Sequence, residues 1–119
     1  MSSKYQISAS ERWRISEPDR PYLTTHAQGR WDERTPPDSV SPEVAWDEGT
    51  DVANLDMGYF ANHQGDPECV RVFGENDTTR PYCAIMIVMN KTILTVLESR
   101  MIESVGVRAY CEAVAGVEL

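Results

Sequence analysis

The apolar residues of this chain change spacing twice along its length, and each spacing predicts a different element. Cys69–Phe73 and Tyr82–Met89 are β-type runs separated by the turn-rich segment 74–79. The second run, Ala84-Ile85-Met86-Ile87-Val88-Met89, is apolar at odd and even positions alike, so it predicts a central strand covered on both faces. Residues 92–105 then follow at helical period, with Leu94, Leu97, Met101 and Val105 on one side and Glu98, Ser99 and Glu103 on the other. Gly106 is where such a helix would end. Val107, Tyr110, Cys111 and Val114 repeat at i, i+3, i+4, i+7 and predict a second short helix. Ile85, Ile87, Leu94, Leu97 and Met101 are the expected core.

Upstream the pattern weakens. Residues 4–16 alternate loosely, Tyr5, Ile7 and Ala9 followed by Trp13 and Ile15, which predicts two short strands. Residues 17–40 read as irregular, because Pro18, Pro21, Pro36 and Pro37 each remove a backbone donor and push the preceding residue to extended geometry. Ser41-Pro42-Glu43 is a helix start, with Ser as cap, Pro at the first helical position and an acid in the first turn; the helix should run to about Trp46. A further helix over 51–61 would place Val52, Leu55 and Tyr59 on one face, and His63–Pro67 forms a turn. Arg-Pro-Tyr occurs at 20–22 and again at 80–82, each time as an extended lead into a strand. The expected fold is α+β: one small domain with a C-terminal β-hairpin and two short helices, preceded by a long irregular arm. The arm is residues 1–40, and the compact part is 41–119 with an acidic segment at 41–77.

Composition sharpens this division. The chain has 119 residues, enough for one domain. Val, Ile, Leu, Met and Phe number 16 in residues 83–119 and 13 in residues 1–82, whereas all three tryptophans and all seven prolines lie in the longer part. Residues 35–77, where ten acids face Arg71 alone, carry −9 and account for the chain's net charge of −8. Such a surface repels nucleic acid and anionic membrane and attracts basic protein. Residues 1–20 contain no apolar run of the secretory type, so a cytoplasmic or virion location inside a host cell is expected. The three widely spaced cysteines do not form a disulfide framework. The run Cys83–Leu97 is interrupted by Asn90-Lys91-Thr92 and is too short to span a membrane.

Chemistry-bearing patterns are sparse. A metal site needs ligands at short fixed spacing, and the nearest approach to one is Asp56, His63, Asp66, Glu68 and Cys69 around a turn. The sequence has no nucleophile elbow and no Gly-rich phosphate loop. Arg12-Trp13-Arg14 and Arg30-Trp31 interleave base and aromatic, but acids stand beside them. The better use of these aromatics is as anchors on a protein surface, where Trp, Tyr and Arg are favoured. Trp13, Tyr22, Trp31, Trp46, Asp47, Glu48 and Asp51 are the candidate protein-binding residues. The expectation is a non-enzymatic, cofactor-free subunit that binds another protein in a larger assembly, such as a phage virion decoration protein. The alternative is a small acidic inhibitor, of the anti-CRISPR or anti-restriction type, that mimics nucleic acid and blocks a basic protein.

Overall fold

The computed structural model describes residues 21–52, 57–60 and 65–119. These form one five-stranded sheet with helices on both faces, so the α+β expectation holds. The strands are β1 (Tyr22–Leu23), β2 (Thr50–Asp51), β3 (Cys69–Glu75), β4 (Tyr82–Met89) and β5 (Thr92–Glu98), in the spatial order β1-β5-β4-β3-β2. The helices are α1 (Thr25–Arg34), α2 (Pro42–Glu48) and α3 (Val105–Ala115), with single 3-10 turns at Met57–Phe60 and Ser99–Met101. β3, β4 and β5 form an antiparallel meander, β2 joins β3 antiparallel, and β1 joins β5 parallel.

The meander is built largely as its pattern demands. β3 and β4 pair through seven positions, from Cys69 opposite Val88 to Glu75 opposite Tyr82. Every residue of β4 is buried, as a strand apolar on both faces requires. Both Arg-Pro-Tyr segments lead into strands, β1 and β4. α2 starts where predicted: the Ser41 hydroxyl accepts from the Val44 N–H at 3.3 Å, and Pro42 occupies the first helical position. α3 buries Cys111 and half-buries Val107, Tyr110 and Val114.

Two expectations are corrected. Residues 92–98 form a strand, and a helix over 92–105 does not exist. Asn90 and Lys91 both have positive φ, 51° and 58°, and they close a two-residue hairpin between Met89 and Thr92. The carboxylate of Glu68 accepts the N–H groups of Asn90 (3.0 Å) and Lys91 (3.1 Å), which holds both residues in that uncommon conformation. Beyond the turn, β-branched Thr92, Ile93, Thr95 and Val96 favour the strand. A bulge follows Ile93, leaving Leu94 without a partner in the register with β4. Gly106 consequently lies in the first turn of α3, and the left-handed residue that ends that helix is Gly116, at φ 74°.

The second correction concerns residues 17–40, read as irregular and as part of an arm. Residues 1–20 lie outside the described residues, but 25–34 are helical, and Leu23, Ala27 and Trp31 are core. Thr24 caps α1 by accepting from the Ala27 N–H at 3.0 Å. Thr35 ends it by bonding the Trp31 carbonyl through both its N–H and its hydroxyl, and Pro36 prevents continuation. The Trp31 ring meets Tyr82 edge-on at 6.2 Å, and its indole N–H donates to the Val40 carbonyl at 3.2 Å. A boundary at residue 40 would therefore cut through the core.

The sheet separates two apolar layers. One joins α1 and α2 to Tyr82, Ala84, Met86, Ile93 and Val96. The other joins α3 to Val70, Val72, Cys83, Ile85 and Ile102. Gly74 is required where the C-terminal residues cross the hairpin: a Cβ there would collide with Val117 and lie 2.7 Å from the Tyr82 carbonyl oxygen.

Candidate protein-docking groove

α3 lies over β3 and β4, and β5 borders a groove on that same face. The groove holds about 280 Å³ and is lined by Tyr59, Phe60, Ile87, Leu94, Thr95, Leu97, Met101 and Ile102. The pleat sends Ile87, Thr95 and Leu97 to this side, and the bulge adds Leu94. Tyr59 and Phe60 form the opposite wall, their rings edge to face at 5.2 Å. The Ser104 N–H donates to the Tyr59 hydroxyl at 3.4 Å, which ties that wall to the start of α3. Apolar surface continues beyond the rim: Tyr59 is 44% exposed, Met101 48% and Val105 73%. Leu94 and Leu97 are half-buried. Apart from the Tyr59 and Thr95 hydroxyls the lining side chains are apolar, so what the groove chiefly offers a ligand is apolar contact.

These are the residues the sequence assigned to a buried helix face. Ile85 and Ile87 are buried as expected. Leu94, Leu97 and Met101 are not, because a strand, a bulge and a 3-10 turn distribute them around an opening that α3 does not reach. The signal that would have located them is the Asn90-Lys91 hairpin turn, which lacks the usual glycine.

The predicted binding residues fall elsewhere. Trp13 lies outside the described residues, as do Asp56, Leu55 and His63. Trp31 is 2% exposed and belongs to the core, so it offers no surface for a partner. Tyr22, on the edge strand β1, is 38% exposed. Trp46, Asp47, Glu48 and Asp51 do come together, at the opposite edge of the sheet where α2 passes into β2. There the Arg71 guanidinium stacks over Trp46 at 4.3 Å, contacts the Asp51 carboxylate at 3.4 Å and donates to the Gly49 carbonyl at 3.4 Å. The Cys69 thiol donates to Asp51 at 3.3 Å. Partial burial, that hydrogen bond and the Asp51 charge push the thiol up to about 12. The lone base of the acidic segment thus organises its own neighbours.

Other acids of this segment also act within the fold. Glu75 accepts from the Tyr82 hydroxyl and the Val40 N–H, and Asp38 accepts from the Thr79 N–H. Together with Glu68 these contacts fasten the loops 36–40 and 90–91 to the sheet. Burial and Glu75 hold the Tyr82 phenol well above its usual range. A second, more polar cavity of about 520 Å³ lies between α1 and α2, lined by Trp31, Asp32, Thr35, Pro37, Val40 and Glu43 among others. Among the described residues no three of His, Cys, Asp and Glu converge as a metal would require, and no described helix is long and apolar enough to cross a membrane.

Residues 23–65 match the family described as "Putative RelE superfamily toxin domain". The match covers about a third of the chain, from β1 through α1, α2 and β2 to just past the 3-10 turn that walls the groove. No curated protein and no solved structure matches the chain.

Proposed function

We propose that this chain is a protein-binding domain whose partner docks in the groove beside β5. The observation that carries this reading is the apolar groove lined by Tyr59, Leu94, Leu97 and Met101, with exposed Val105 at the start of α3, on a part of the α3 face that the described residues leave open. Large side chains so exposed and so clustered mark interaction surfaces. The family resemblance favours the inhibitor reading over a virion subunit: a protein that occupies and blocks an essential partner acts as a toxin without chemistry of its own. The acids at the β2 edge contribute steering toward a basic partner, because several others are already engaged within the fold.

The test is inducible expression in a host cell with a photo-crosslinking amino acid at position 101 or, as a control, at exposed Asp32. Growth arrest together with a crosslinked partner from position 101 but not from 32 is the expected result. L94E, with the crosslinker kept at position 101, should reduce both at least tenfold while leaving the thermal melt within a few degrees. Undiminished growth arrest and crosslinking in that variant would remove the groove from the function.

A further inference from the structure

We propose that the outer edge of β5, from Leu94 to Glu98, receives an extended strand of the partner, which lengthens the sheet and lays alternate side chains against the groove. This inference rests on the docking reading of the groove and adds the form of the partner. It starts from the order of the sheet. β4 pairs along one side of β5, whereas β1 borders the other side only at Thr92 and Ile93. At Thr24 the chain leaves that edge: the Thr24 hydroxyl donates to the Ile93 carbonyl at 3.2 Å, and α1 begins. Among the described residues no strand continues along Leu94–Glu98. The backbone N–H and C=O groups of such an edge are a template for another strand.

The second observation is what meets that edge. The Val96 carbonyl accepts from the Arg34 guanidinium at 2.8 Å. α1 thus supplies from a side chain the donor that a neighbouring strand would supply from its backbone. Arg30 pairs with Glu33 and Arg80 with Glu98, but Arg34 meets no carboxylate among the described residues. A full charge is held there by a neutral acceptor. An incoming N–H would take over the Val96 carbonyl and release the guanidinium, which a carboxylate on the same strand would then hold more strongly.

The pleat says where that carboxylate belongs. Val96 packs into the α1/α2 layer, while Thr95 and Leu97 turn to the groove. A residue paired beside Thr95 or Leu97 therefore projects toward Leu94, Leu97 and Met101, and a residue beside Val96 projects toward Arg34. The edge selects a strand that is apolar at alternate positions with an acidic residue between them. A strand with a basic residue there would confront Arg34, which keeps the edge from pairing indiscriminately.

The probe is a heptapeptide with valine at every odd position, aspartate at the centre and threonine at the remaining two, added to the full chain. Amide exchange at Val96 and Glu98 should slow at least tenfold, and the dye-labelled peptide should show saturable binding by anisotropy. The same peptide methylated on its backbone nitrogens lacks the donors and should give no protection. A lysine at the centre should weaken binding about tenfold, and R34Q, whose amide can still donate to Val96, should reduce that difference to about threefold or less. No protection by the first peptide, equal protection by the methylated one, protection confined to another edge, or an unchanged aspartate–lysine difference in R34Q would overturn the inference. The two proposals fail separately. If position 101 captures a partner in cells but the peptide leaves β5 unprotected, docking stands and strand addition falls. If the peptide protects β5 but position 101 captures nothing, the edge accepts strands and the docking function falls.

Discussion

The two faces of the sheet receive different amounts of cover from the same short chain. On the α1/α2 face, Leu23, Ala27, Trp31 and Ala45 seat on Tyr82, Met86 and Val96, and each is 2% exposed or less. On the α3 face, an eleven-residue helix covers β3 and β4, and the β5 side keeps Met101 and Val105 in solvent. One face is therefore a stability layer and the other divides between stability and surface. A residue's apolarity gives no indication of which it serves; its distance from α3 does.

The largest expected effect comes from breaking the closed face. Deleting residues 2–40 removes β1 and α1, and the remainder should not fold, seen as loss of a cooperative melt by circular dichroism. Trp31→Ala should destabilise by about 3–5 kcal/mol in chemical denaturation, through lost transfer energy and the cavity left against Tyr82. Leu97→Ala, at the rim of the groove, should cost less, about 1–2 kcal/mol, because that side chain is only partly buried. Equal losses at the two sites would mean that both faces are equally covered.

Gly74→Ala should cost about 1–3 kcal/mol, since the added methyl forces Val117 and the Tyr82 carbonyl apart. Glu68→Ala should cost about 1 kcal/mol by releasing the 90–91 turn, and amide exchange should speed at Asn90 and Lys91 before it does in β4.

A pH series tests the α3 layer differently. Burial, with smaller contributions from the neighbouring Cys111 and Glu112, raises the Cys83 thiol from 9.0 to about 12; burial and Glu112 raise Cys111 to about 11. A thiol whose folded value lies above its unfolded one stabilises fully below pH 9 and progressively less as pH climbs through the folded value. The melting temperature should therefore fall between pH 9 and 12, less steeply in C83A/C111A after correction for its lower starting point. The smallest expected effect on stability is Met101→Ala, within about 0.5 kcal/mol, yet growth arrest on induction should weaken at least tenfold.

How much of this was legible varies by element for identifiable reasons. The β3–β4 hairpin, the start of α2 and the amphipathic α3 could be read directly, because each is specified by neighbours in sequence: alternation, a Ser-Pro-Glu cap, apolar residues at i, i+3, i+4 and i+7. α1 could not, because it buries only Ala27 and Trp31 among polar residues and is flanked by prolines; its stability comes from Tyr82, some fifty positions away, and from the Val40 carbonyl. β5 could not, because Leu94, Leu97 and Met101 fit a helical period as well as a strand, and the decision fell to a turn held by Glu68, the residue just before β3. The residues that line the groove followed the same rule. The sequence by itself determined that the chain folds as one α+β domain around an all-apolar strand and carries its charge in one acidic stretch. Only the tertiary structure decided that most of those acids' visible partners are the protein's own N–H groups, and that the apolar groove lies where α3 ends short of β5. Local chemistry fixes which elements can form, but exposure is settled by how far each helix reaches across the sheet, and that length is set by contacts distant in sequence.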